Sequence, residues 1–238
     1  MENDLTLVSQ PAAPDAAPDS AQCGFSFPVS LTEEFRPRTL DQFVGLEKAR
    51  KIAASLIRQP KSCSLRFVGP SGTGKTTLAL AIAALMPAEL HHIASKDCTL
   101  DTVNSVAAQC YRMPHDPWDI TKNCKAHLVL VDEAHYMTRA AQTAFLSLLD
   151  ATAFPPNTIF IFTMNTEDGL DAAFLSRSMP IDFSSYGIAR EVTALLSRIW
   201  EAKAPAGSPA PNFARIVKDC ANNVRAALMA LDVEIMAA

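Results

Sequence analysis

The chain has 238 residues, 49% of them hydrophobic and 19% charged, and its 21 basic side chains stand against 25 acidic ones for a net charge of −4. That balance suits a globular chain with a real core and excludes a solvated fibre, a fully disordered chain or a protein that coats nucleic acid by bulk charge. The longest apolar run, Leu78 to Met86, is about half of the ~18–20 residues a bilayer span needs, so no membrane association is expected.

Residues 1–30 form the first segment in chain order. Pro11, Pro14 and Pro18 lie there among alanines, serines and acids, with Arg and Lys absent up to Ser30. Such a stretch buries too little apolar surface to offset its ordering entropy and reads as a disordered tail. It shows neither the basic start and apolar run of a secretory signal nor the arginines of a transit peptide, which predicts a cytoplasmic protein. The six cysteines contain no CxxC pair and read as reduced thiols. Cys98, Cys110 and Cys124 lie near His91, His92 and His115 in sequence, but their spacings fit no zinc pattern.

From Leu31 the pattern alternates helix and strand. Leu46, Ala49, Ile52, Ala53, Leu56 and Ile57 recur at helical spacing up to Pro60. A short strand at 64–68 is followed by a glycine-rich turn and a helix from Lys75 to Met86, stopped by Pro87. Strands are expected at 89–94, 127–131, 159–163 and 180–183, with a helix at 138–149 before Pro155. Strands separated by helices imply a parallel sheet covered on both faces, an α/β fold over residues 31–186. Three helices marked by Val192 and Leu196, by 213–220, and by Val224 and Leu228 make residues 187–238 a small all-helical domain.

The strongest motif is Gly69-Pro70-Ser71-Gly72-Thr73-Gly74-Lys75-Thr76, a G-x-x-x-x-G-K-[ST] run between strand and helix. Glycines there let the backbone curl so that successive N–H groups face phosphate oxygens, and the following helix N-terminus adds partial positive charge. Thr77 completes the loop's entry into the helix. Lys75 is then placed for the β- and γ-phosphates of ATP and the Thr76 hydroxyl for Mg2+. The second motif is Leu128-Val129-Leu130-Val131-Asp132-Glu133. Two acids closing a buried strand are costly without a cation, and ligands sit at strand C-termini in open α/β sheets. Asp132 is expected to hold the metal and Glu133 to polarise the attacking water.

Together these motifs resemble the AAA+ ATPases, and the finer pattern is similar to their clamp-loader clade. Glu34-Phe35-Arg36-Pro37 through Phe43-Val44-Gly45 resembles the segment that surrounds adenine in that clade, which implies a base pocket lined by Phe35, Pro37, Val44 and Gly45. Asn165 matches the polar sensor 1 residue. Leu175-Ser176-Arg177-Ser178 resembles the clade's Ser-Arg-Cys motif, with Ser178 in place of cysteine, and implies that Arg177 acts on the ATP of a neighbouring subunit. Asn223-Val224-Arg225 resembles sensor 2, which places Arg225 at the γ-phosphate and makes the helical domain a lid. The resemblance implies an oligomer of AAA+ subunits, identical or paralogous, that hydrolyses ATP to load or remodel a DNA-bound protein. The clade's subunits normally continue into a third helical collar domain, and the expectation here departs from that pattern in a subunit that ends at its lid. Lys96, Arg112, Lys122 and Lys125, interleaved with Tyr111 and Trp118, read as a solvated surface loop, with a DNA-facing loop as the alternative. A non-catalytic nucleotide-binding adaptor, or a regulator of a mobile element or of helicase loading, stays open beside the clamp-loader reading.

Overall fold

The computed structural model describes residues 28–115 and 123–238. The tail expected at 1–30 therefore falls almost entirely outside the described residues, as do Trp118 and Lys122.

Five parallel strands form one sheet: β1 (Cys63–Val68), β2 (Ala88–Ala94), β3 (Ala126–Asp132), β4 (Thr158–Met164) and β5 (Met179–Asp182), in the spatial order β2-β3-β4-β1-β5. Parallel pairing buries both faces of a sheet and favours continuous apolar runs. β4 obeys this along its whole length, and β3 does so from Ala126 to Val131. On one face, α2 (Glu47–Arg58) and α3 (Lys75–Leu85) close a core around Leu65, Phe67, Leu128, Ile159 and Ile161. On the other, α4 (Leu100–Cys110), α5 (Arg139–Leu148) and α6 (Ala172–Ser176) cover Val129, Val131, Phe160 and Phe162. Phe145 of α5 meets the Phe162 ring edge-on at 5.1 Å, the arrangement that aligns ring edge with ring face.

Three further helices, α7 (Ala189–Lys203), α8 (Phe213–Asp219) and α9 (Val224–Ala237), pack around their own cluster of Val192, Leu196, Trp200, Val217 and Leu228. The short α1 (Leu31–Glu34) belongs to this cluster through the buried Leu31, although it precedes the sheet in sequence. No described helix is long and apolar enough to cross a bilayer.

The expected strands appear within about a residue at each end, and α4 is the main element that the sequence pattern did not announce. Its interior is built from Thr, Asn, Ser and Gln between Leu100, Val103 and Val106, so its apolar stripe is thin. The Thr99 hydroxyl starts it by accepting from the Thr102 N–H at 3.3 Å.

Candidate nucleotide site

The glycine-rich turn sits where β1 ends and α3 begins, at the C-terminal edge of the sheet, and two of its glycines are indispensable. Gly69 has φ +155°, and a Cβ there would stand 2.0 Å from the Phe183 carbonyl oxygen. Gly72 has φ +76°, and a Cβ would meet the Asn223 side-chain oxygen at 2.1 Å. The Thr73 hydroxyl donates to the Pro70 carbonyl at 2.8 Å and braces the loop.

Lys75 is buried in the first turn of α3. Its ammonium donates to the carbonyls of Gly69 (2.7 Å) and Pro70 (2.8 Å) and to Asn165 Oδ1 (2.9 Å). Three donors thus meet three acceptors, with the charge held inside the loop. Burial pulls the Lys75 ammonium down to about 8, against the attraction of Asp132, with Arg225 pushing it further down. A multivalent anion entering the loop would relieve both effects.

Asp132 closes β3 and collects two hydroxyls on Oδ1, from Thr76 at 2.6 Å and from Thr163 at 2.5 Å. Thr163 in turn accepts the Glu133 N–H at 3.0 Å, so a relay runs from Glu133 through Thr163 to Asp132. Glu133 itself has φ +51° and ψ +47°, a left-handed conformation that is costly for a side chain with a Cβ. The strained turn leaves its carboxylate exposed beside the loop. A carboxylate and a hydroxyl facing one pocket are hard oxygen donors, and that set suits Mg2+.

One pocket is lined by Ser71, Gly72, Gly74, Lys75, Thr76, Thr77, Asp132, Glu133, Thr163, Asn165 and Arg225. Arg225 occupies the first turn of α9, where the helix end repels a cation, so it gains from a nearby anion. An adjoining cleft runs between the lid helices and the N-terminal segment, lined by Phe35, Pro37, Val44, Leu46, Leu195, Val224 and Leu228, with Thr77 and Arg225 at the seam. Its apolar walls beside a phosphate-type loop fit a flat heteroaromatic ring. Gly45 lies outside both linings. Its N–H donates to Glu191 at 2.7 Å and a Cβ would strike Ile188, so it is a close-approach glycine against the start of α7, between Val44 and Leu46 of the cleft.

Arg177 is not brought to the pocket of its own chain. It caps α6, partly exposed, with Nη1 donating to the Ala173 carbonyl at 3.0 Å and Nη2 3.7 Å from Asp150. Two groups that support this geometry escaped the sequence reading. Thr163 looked like one more residue of a buried strand. Arg66, buried in β1, pairs with Glu167 at 2.7 Å and donates to the carbonyls of Leu175 and Ser178 and to Ser178 Oγ, fixing the turn that carries Arg177. An arginine inside an otherwise apolar strand was the available signal.

The parallel sheet, the phosphate-type loop and the acidic strand end define a P-loop nucleotide-binding protein. Residues 65–184 match the model of the AAA family, the ATPase family associated with various cellular activities. The chain belongs to that family. It is 31% identical over 158 residues to replication factor C small subunit 2 of Pyrobaculum arsenaticum, which covers 64% of this chain and 47% of that protein. With the replication factor C small subunit of Natronomonas pharaonis the identity is 31% over 161 residues, 65% and 47% of the two chains. The chain thus spans about half the length of these curated relatives. In fold it resembles the Thermotoga maritima RuvB Holliday junction branch migration motor at a TM-score of 0.64 and 17% identity, over 83% of this chain and 64% of the other.

Proposed function

We propose that this chain binds and hydrolyses ATP as one subunit of a clamp-loader-like assembly, with each ATP held at an interface between subunits. The observation that carries the reading is the split of the polar residues. Lys75, Thr76, Asp132, Glu133, Asn165 and Arg225 converge on one pocket, while Arg177 stands on the outer surface of the same chain. A site that gathers everything except its transition-state arginine is completed by a neighbour.

In this reading the adenine enters the cleft lined by Phe35, Pro37 and Val44, beneath the lid formed by α7–α9. The triphosphate follows the amides of 69–76, and Lys75 exchanges the Gly69 and Pro70 carbonyls for phosphate oxygens. Thr76 and Asp132 hold Mg2+, which neutralises charge on the phosphates. Glu133 accepts a proton from the water that attacks the γ-phosphorus, and Asn165 orients that water. Arg225 contacts the γ-phosphate from the lid, so nucleotide state alters the lid's position. A neighbouring subunit's Arg177 stabilises the charge on the transferring group. The neighbour is a second copy of this chain or a paralogous AAA+ subunit. Its object in this reading is a DNA-bound protein complex, which the similarity to replication factor C small subunits supports.

The test compares ATP binding with phosphate release. Lys75→Ala is expected to abolish both. Glu133→Gln is expected to bind ATP normally and to lose about 10²-fold or more of its turnover. Wild-type turnover in Glu133→Gln would overturn the assignment of the general base.

A further inference from the structure

At the opposite end of the sheet from the phosphate loop lies a second cluster of chemistry-bearing side chains that the nucleotide chemistry does not use. Glu89 and His91 alternate on the same face of β2, and the register pairs Glu89 with His127 on β3. Cys110 ends α4 above them. All four are buried, beside a sheet face that is mostly Val, Ile and Phe but also carries Thr158, opposite His127 and hydrogen-bonded to Cys110. Local preference would fill the strand positions with branched aliphatics, so four potential ligand side chains gathered there stand out.

We propose that Glu89, His91, Cys110 and His127 form a buried, four-ligand site for one Zn2+ ion. One nitrogen each of His91 and His127 and the Cys110 sulfur lie within 4.8 Å of one another. His91 Nε2 is 3.0 Å from His127 Nδ1. The Glu89 oxygens stand 3.4 Å from His127 Nδ1 and 3.8 Å from His91 Nε2. Tetrahedral Zn2+ with bonds of ~2.0–2.3 Å needs ligand atoms about 3.3–3.7 Å apart, so His91, His127 and Cys110 must draw together and Glu89, which lies outside that three-residue group, must turn toward the sulfur to complete the shell.

His127 Nε2 lies 3.0 Å from the Arg112 carbonyl, which only accepts, so that nitrogen carries the proton and Nδ1 accepts from His91 Nε2. Zinc binding would replace that hydrogen bond and move the His91 proton to its Nδ1. Glu89 is steadied by the His115 N–H at 2.8 Å. Charge also balances, because a thiolate and a carboxylate neutralise a divalent ion in a setting where a lone carboxylate is costly. Binding releases the Cys110 thiol proton to solvent and leaves both histidines neutral. With all its ligands buried, the site is a structural clamp that ties the end of α4 to β2 and β3. Sequence spacing could not show it, because His127 joins the others through strand pairing and not through a local motif.

The experiment uses the full untagged chain expressed with added zinc, with metal content measured after gel filtration and Co2+ added to the metal-stripped protein. The expected result is about one zinc per chain and a thiolate-to-Co2+ charge-transfer band. Cys110→Ser is expected to lose the band and at least ~100-fold in Zn2+ affinity, whereas His92→Ala, on the exposed face of β2, keeps both. Metal-stripped wild type without a thiolate band at saturating Co2+ would overturn the site, and so would zinc binding that Cys110→Ser leaves unchanged. The wild-type Co2+ spectrum decides even if the serine variant folds poorly.

Discussion

The Asn223 side chain joins the lid to the phosphate loop: its Nδ2 donates to the Ser71 carbonyl at 2.9 Å, while its Oδ1 accepts the Ala226 N–H at 3.1 Å and caps α9. One amide therefore sets both the start of the helix bearing Arg225 and its position over the loop. The two residues before it, Ala221 and Asn222, hold left-handed backbone at φ +50° and +59°, so the approach to this contact is strained.

Removing that amide is expected to have two separable effects. Asn223→Ala loses the helix cap, worth about 1 kcal/mol, or roughly 2–4 °C in Tm for a chain of this size. Asn223→Asp restores a capping oxygen but has no N–H for Ser71. It should recover most of the Tm and still release nucleotide faster than wild type. Thermal melts and nucleotide dissociation rates check the two halves, and equal recovery of both by aspartate would contradict the dual role.

Arg66 is expected to matter more than its distance from the phosphate loop suggests. Arg66→Met leaves the half-exposed Glu167 and the Leu175 and Ser178 carbonyls without their donor, and an unpaired buried acceptor costs about 1–3 kcal/mol. If the arginine also positions the Arg177 turn, Arg66→Lys should keep ATP affinity while turnover falls. Phosphate release at saturating ATP, set beside a binding isotherm, measures the split.

Lys75 gives the site a pH signature. Its folded value is about 8 against the ordinary 10.5, so the unfolded chain binds more protons between those limits. Holding the ammonium buried therefore costs stability below pH 8, and this cost fades as pH rises to about 10.5. The buried thiol of Cys98, raised to about 11, acts oppositely above pH 9. The Lys75 part is thus read as the difference between wild type and Lys75→Met. ATP requires the charged form, so affinity should fall by up to about tenfold per pH unit above pH 8, with one proton taken up per ATP bound. Calorimetry in buffers of different ionisation enthalpy at pH 9 measures that uptake.

Much of this molecule was legible because its chemistry is local. The Gly69–Thr76 turn and the Val131-Asp132-Glu133 strand end each carry their meaning in consecutive residues. Features assembled by tertiary contacts were not. Arg66 reaches Ser178 across more than a hundred residues, Thr163 serves Asp132 only because β3 and β4 are neighbours, and Glu89 meets His127 only through sheet register. The close approach of Ile188 to Gly45 is likewise a tertiary contact that its motif position does not announce. The weak apolar stripe of α4 hid a helix whose last residue, Cys110, completes the buried cluster.

The central claim is that the site is completed between subunits, and turnover per chain against protein concentration tests it most directly, for wild type and Arg177→Ala. Wild-type turnover should climb with concentration and then saturate. Arg177→Ala should bind ATP as well as wild type and fall about 10³–10⁵-fold below that plateau. A wild-type rate independent of concentration and unchanged in Arg177→Ala would contradict the account, because one chain would then hold a complete site.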